Sequence, residues 1–254
     1  MTNQEVLQGC TVDGNVVRLP QGQLDRQLYM EVARSLELIG GKWKGGKVGG
    51  FVFPEGYEDE INSLLGKIAV GESVNLKKEY QNFFTPTFLA DTKVDLLLIE
   101  STDTVLEPSA GQGALVEAVL RHRPYNTVFC VEKMDTNQII LDRKFRDIDY
   151  VFIMHPLNDD FLRLESSKFN KIIANPPFSG NQDIDHIYKM YEMLADGGRI
   201  VTIASIHWRI SQNKKEVAFS QWLREVNADI SDLPSGTFKE SGTSIPTCLI
   251  IIDK

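Results

Sequence analysis

The chain has 254 residues, 42% hydrophobic and 24% charged, with 19 Gly and 10 Pro, a composition that excludes collagen-like, low-complexity and largely disordered proteins. No apolar run approaches the roughly 18–20 residues of a membrane helix, and the polar start MTNQEVLQGC lacks the basic-then-apolar pattern of a secretion signal. A net charge of -8 excludes coating of nucleic acid by bulk charge, and three widely spaced cysteines (Cys10, Cys130, Cys248) indicate neither a disulfide framework nor a CxxC metal site, so a cytoplasmic setting and no metal are expected.

Residues 1–80 read as a small α+β unit. After a polar lead comes VVRLP, and then LDRQLYMEVARSLELIG sets Leu24, Leu28, Val32, Leu36 and Ile39 at helical spacing until Gly40-Gly41 ends the pattern. KWKGGKVGGFVF predicts a hairpin turning at Gly45-Gly46, and EDEINSLLGKIAV predicts a second helix after Pro54. The hairpin carries Lys42, Lys44 and Lys47 around Trp43, a candidate nucleic-acid contact: lysines hold phosphates, and a glycine-rich strand pair can enter a groove. A solvated basic hairpin with a core tryptophan has the same pattern.

From residue 81 to 254 the rhythm changes. Short apolar runs (TVLEP, TVFCVE, KIIANPP, RIVTIAS, TCLIIID) alternate with helical segments such as GALVEAVLRH and DIDHIYKMYEMLA, which predicts βαβ units and a parallel sheet covered on both faces. In the later helix Ile184, Ile187, Tyr188, Tyr191 and Leu194 form the buried stripe, with Gly197-Gly198 closing it. GTFKESGTSIPTCLIII holds two strand-like runs and no helix, predicting an antiparallel hairpin at the sheet edge.

The chemistry concentrates in three places. VLEPSAGQGALVEAVL (105–120) runs from strand through a small-residue turn into a helix; Gly111 and Gly113 allow close backbone approach, and ligands sit at such carboxyl ends. A GxG turn also serves as a plain strand–helix connection, and this one lacks the third glycine of a dinucleotide fingerprint. Glu107 at the strand end repels a pyrophosphate and suits a cationic or amine-bearing ligand. About 20 residues on, Glu132 ends the next strand, where an acid hydrogen-bonds ribose hydroxyls. In LNDDFL, Asp160 (or Asp159) and Phe161 offer an acceptor and an apolar cover for an adenine ring. KIIANPPF ends a strand at Asn175-Pro176-Pro177-Phe178, because consecutive prolines cannot continue a ladder. The Asn175 amide and the Pro176 carbonyl then project as two acceptors for a planar NH2, and Phe178 offers a stacking face.

These motifs resemble those of class I S-adenosylmethionine-dependent methyltransferases, most closely the DNA adenine-N6 methyltransferases, over roughly residues 80–254. The resemblance implies a Rossmann-like α/β sheet, and S-adenosylmethionine as cofactor. It implies that FFTP (Phe83, Phe84, Thr85, Pro86) contacts the methionine end, and that EPSAGQG, with Glu107, Ser109, Ala110, Gly111 and Gly113, is the glycine motif. Glu132 is then the ribose acid, Asp160 and Phe161 the adenine contacts, and NPPF the catalytic tetrapeptide, with Asn175 also touching the cofactor. The motif order is similar to the gamma arrangement, although the large recognition domain usual in gamma members does not follow here. A short or relaxed target sequence is therefore expected, in a solitary modifying enzyme of the kind typical of mobile elements or phage. RNA adenine-N6 or guanine-N2 and protein glutamine-N5 methyltransferases carry NPPF or NPPY as well, so those substrates stay open, as does a non-catalytic nucleic-acid-binding module on the same fold. His186 on the helix after NPPF reads as a structural histidine. Arg209, Lys214 and Lys215 in HWRISQNKK are a second candidate for DNA contact. Monomer and dimer are both open.

Overall fold

The structure, a computed structural model, describes residues 1–53, 58–72, 74, 85–165, 167–238 and 245–254. The chain divides into two compact units, Met1–Gln81 and Asn82–Lys254.

In the first unit a short helix α1 (Asn3–Gln8) starts at Thr2, whose hydroxyl accepts from Glu5 N–H while the Glu5 carboxylate accepts from Thr2 N–H at 2.8 Å. This reciprocal box satisfies donors that a helix start leaves orphaned. The stretch reads as a polar lead by composition; Thr2 and Glu5, spaced as T-x-x-E, are the signal for the helix. Strands β1 (Thr11–Asp13), β2 (Val16–Arg18), β3 (Lys42–Lys44) and β4 (Gly50–Val52) form an antiparallel sheet in the order β1-β2-β4-β3. Helix α2 (Arg26–Leu38), capped by Asp25, and α3 (Glu58–Ala69) complete the unit. Val6, Leu7, Leu36, Phe51 and Ile61 are among its fully buried side chains. The predicted hairpin and both predicted helices are present, but the hairpin's connection runs through residues 45–49 rather than turning tightly at Gly45-Gly46.

The second unit is an α/β sheet of seven strands: β5 (Thr104–Glu107), β6 (Thr127–Val131), β7 (Val151–Met154), β8 (Phe169–Ala174), β9 (Leu194–Ser205), β10 (Asp229–Asp232) and β11 (Thr247–Asp253). Their order is β7-β6-β5-β8-β9-β11-β10, with β5 to β9 parallel and β11 antiparallel to both neighbours. Helices α4 (Thr87–Leu97), α5 (Ala114–His122), α6 (Asp135–Phe145), α7 (Gln182–Met193) and α8 (Lys214–Glu225) flank it. Successive residues along each central strand enter opposite cores: Val105, Ile173 and Val201 join one cluster, Leu106, Ile172 and Ile200 the other. That two-residue alternation with both partners apolar is why these strands read as continuous hydrophobic runs. The strand order reverses between β5 and β8, and such a switch point opens a crevice at the strand carboxyl ends.

Two expectations need correction. The C-terminal hairpin exists, but its first strand is Asp229–Asp232, not the run at GTFKES; residues 235–238 are turn, and residues 239–244 lie outside those described. The helix after NPPF ends at Met193 and passes straight into β9, so Gly197-Gly198 lies in the strand rather than closing the helix.

Candidate active site

The glycine turn is tied down on three sides. Glu107, 1% exposed at the end of β5, accepts from Ser109 N–H through Oε1 at 2.9 Å. Ala110 N–H donates to the Val131 carbonyl at the end of β6, and Gly111 N–H to Glu132 Oε2 at 2.6 Å. Gly111 and Gly113 both have left-handed backbones, φ 54° and 88°. They differ in surroundings: a Cβ on Gly111 would meet open space, whereas one on Gly113 would lie 2.6 Å from the Phe145 ring. Gly111 therefore leaves its side of the turn open to a ligand, and Gly113 lets α6 pack against the turn.

Two carboxylates flank this opening. Burial pushes the Glu107 carboxyl well above the ordinary carboxylate range; buried Lys93 and the Ser109 N–H oppose that, and Glu132 adds to it. Glu107 Oε2 is buried without a hydrogen-bond partner. Burial also raises Glu132, opposed by its backbone hydrogen bonds from Met134 and Gly111. Asp160 caps a 3-10 turn (Phe161–Arg163) by accepting from Leu162 N–H, and pairs with Lys133 at 3.0 Å. Burial pulls its carboxyl up, but Lys133 and the Leu162 N–H together hold it below the usual value. Asp159, the alternative acceptor, pairs with His155.

Phe161 is buried, its ring 5.4 Å from that of His186. Nδ1 of His186 lies 3.2 Å from Ser109 Oγ. Burial drives the His186 pKa down to about 4, so the ring is neutral near pH 7 and supports the glycine turn as a packed hydrogen-bonding group.

The tetrapeptide 175–178 follows β8 directly. Asn175 Nδ2 donates to Thr85 Oγ1 at 3.2 Å, which joins this strand end to the residue preceding α4; Pro86 occupies the N-cap position of that helix. Pro176 is buried and Pro177 partly so. The expectation of an open stacking face at Phe178 is corrected here. The ring is only 5% exposed and belongs to the same core as Ile173 and Val201, so a nucleobase could stack on it only after its surroundings move. Phe83 and Phe84 lie outside the described residues.

Of the candidate nucleic-acid contacts, Arg209 pairs with Asp232 at 2.5 Å and Lys215 with Asp185 at 2.7 Å; Lys214 is exposed. In the first unit Lys42, Lys44 and Lys47 are exposed, and Trp43 is 45% exposed with its ring edge against Tyr29 and Phe51. Among the described residues there is no cluster of metal-ligating side chains, and no helix is long and apolar enough to cross a membrane. All three cysteines are free thiols.

Two features fit S-adenosylmethionine. The orphaned oxygen of Glu107 suits a cationic amino group, and the open side of Gly111 admits close approach between two carboxylates that would repel a phosphate.

No family model matches the sequence. Over 186 residues, 68% of each chain, it is 27% identical to the ribosomal RNA small subunit methyltransferase A of Hydrogenobaculum sp. (strain Y04AAS1). A modification subunit assigned to a type I restriction enzyme of Vibrio vulnificus YJ016 superposes on 99% of this chain with a TM-score of 0.57 at 14% identity; the present chain spans 64% of that subunit. A protein assigned to the class I S-adenosylmethionine-dependent methyltransferases of Listeria monocytogenes matches 77% of this chain and 68% of its own length, with a TM-score of 0.52 and 14% identity. The chain therefore has the fold of class I S-adenosylmethionine-dependent methyltransferases.

Proposed function

We propose that this chain transfers a methyl group from S-adenosylmethionine to the exocyclic N6 amine of adenine in DNA. The observation that carries the reading is the joint presence of a glycine turn flanked by Glu107 and Glu132 and, one strand away, the Asn-Pro-Pro-Phe end of β8. When bound, the cofactor supplies an electrophilic methyl on a sulfonium.

The residues then divide the work. Glu107 takes the amino end of the methionine moiety and Glu132 the ribose hydroxyls, with the Gly111 N–H released from Glu132 or shared. Ser109 and Ala110 shape the turn that holds the methionine moiety, while Asp160 and Phe161 address the adenine ring. The hydrogen bond from Asn175 Nδ2 to Thr85 Oγ1 holds the amide side chain in place. Its Oδ1 and the Pro176 carbonyl accept the two N–H bonds of the target amine, drawing its lone pair out of conjugation and toward the methyl. The bound cofactor would supply the methyl and its sulfur would keep the C–S electron pair, while Asn175 and the Pro176 carbonyl hold the attacking amine in line and its surplus proton passes to water. Catalysis is then positioning plus electrostatics, without a nucleophilic side chain. The base leaves its stack to reach Asn175, at a cost of about a few kcal/mol.

For substrate contact the three exposed lysines of the β3–β4 hairpin beside half-exposed Trp43 are favoured over the 207–215 loop, where Arg209 and Lys215 already have carboxylate partners. An RNA substrate is the second reading, favoured by the 27% identity to a ribosomal RNA methyltransferase.

Incubation with isotope-labelled cofactor and separate DNA and RNA pools, followed by nucleoside mass analysis, tests the proposal. N6-methyladenine in DNA is the expected product. Label confined to RNA selects the second reading, and label in neither pool, with cofactor bound, contradicts both.

A further inference from the structure

Helix α4 carries a lysine where its neighbours are apolar. Leu89, Ala90, Lys93, Val94 and Leu97 all lie on the buried face, and Lys93 is 0% exposed. A lysine is almost never buried in full without a partner that repays the loss of hydration. Lys93 Nζ donates to the carbonyl of Ala174, the last residue of β8 and the one immediately before Asn175. The same carbonyl also accepts from Thr202 Oγ1 on β9, at 3.3 Å. Two donors from two different elements thus fix the peptide that leads into the tetrapeptide.

The second partner is electrostatic. Glu107 and Lys93 are both fully buried and act on each other through the protein interior. Glu107 keeps one buried oxygen without a hydrogen bond. Burial lowers the lysine pKa and raises the carboxyl one, and each charge offsets part of the other's penalty. Helix α4 therefore reaches the strand end twice: Thr85, just before it, holds the Asn175 side chain, and Lys93, two turns in, holds the Ala174 carbonyl.

We infer that Lys93 is a positioning residue that joins the two halves of the site, its Nζ fixing the Ala174 carbonyl ahead of Asn175 and its charge serving as the buried counter-charge of Glu107. This rests on the reading above, in which Glu107 meets the cofactor amine and Asn175 the target amine. Acting on both, Lys93 influences cofactor affinity and turnover separately, something a lysine that merely fills the core does not do.

The test uses Lys93→Met, which keeps the length and removes the charge, with wild type as the reference in every assay. At a temperature where both proteins are folded by circular dichroism, calorimetry with S-adenosylhomocysteine is expected to give an affinity about tenfold weaker, as Glu107 loses its buried counter-charge. With cofactor and substrate saturating, kcat is expected to fall about a hundredfold, the usual result of misplacing a reacting group by an ångström. A folded variant that matches wild type within twofold in both readouts overturns the inference. For the case in which Lys93→Met does not fold, nuclear magnetic resonance of wild type carrying 13C-lysine gives the second readout. The Lys93 Cε resonance is expected to shift on adding S-adenosylhomocysteine, and an unchanged resonance at saturation overturns the inference. Wild type that binds no cofactor contradicts the methyltransferase reading instead, so the two failures are distinguishable.

Discussion

At the scale of single residues, the two glycines of the turn make separable predictions. Both have left-handed backbones, which cost a non-glycine residue about 1–2 kcal/mol. A Cβ placed on Gly111 meets no heavy atom within 4 Å, so Gly111→Ala costs little more than that strain, and Gly111→Val fills the opening and abolishes cofactor binding in calorimetry. Gly113→Ala drives a Cβ into Phe145 and Leu141, and a loss of about 3 kcal/mol is expected in chemical denaturation. Equal stability losses for the two alanine variants contradict this division. Gly111 and Gly113 are legible in the sequence because a left-handed backbone favours glycine, and the NPPF run because consecutive prolines end a strand ladder. Lys93 is harder to see, its one signal being a charge on the apolar stripe of a helix. The burial of Phe178 is not legible at all, since a ring after two prolines reads the same whether it faces solvent or core.

Among the elements, α7 shows how a flanking helix supports the site. Its His186 reaches Ser109 in the glycine turn and packs on Phe161, with its pKa lowered by burial from 6.5 to about 4. The folded value lies below the unfolded one, so the stabilisation is fully present above about pH 6.5 and is lost as pH falls toward 4. Across that window the linkage amounts to ~3 kcal/mol. His186→Gln, which keeps a partner for the Ser109 hydroxyl and takes no proton, is expected to lose less stability than wild type between pH 7 and pH 4 in urea melts. Parallel pH curves for the two proteins contradict the assignment. The long apolar strands are readable as elements because both their faces are buried. Strand β10 is not, because Asp229–Asp232 is a four-residue edge with only Ile230 half-buried and carries no apolar run. Helix α1 is six residues long, too short for a periodic signal, and its capping box is the one cue.

For the molecule as a whole, the proposed function gives the two units different chemistry. The seven-strand sheet brings the carboxyl ends of β5, β6 and β8 side by side, which the alternation of strands and helices already implies, whereas register and burial come only with the structure. The net charge of -8 leaves nucleic-acid binding to local patches, and the β3–β4 hairpin is the one assigned that role. Replacing Lys42, Lys44 and Lys47 together by Gln is expected to reduce the slope of log affinity against log salt by about 2–3, as three phosphate contacts are lost, without altering cofactor affinity. Fluorescence anisotropy with a labelled oligonucleotide checks this, and an unchanged salt slope places the contact elsewhere. The central claim is that Asn175 grips the target amine and not the cofactor alone. Its most direct test is Asn175→Ala, assayed for transfer of labelled methyl to nucleic acid alongside calorimetry with S-adenosylhomocysteine. Turnover is expected to fall by about a hundredfold or more, with cofactor affinity nearly intact. Turnover at the wild-type rate contradicts the claim.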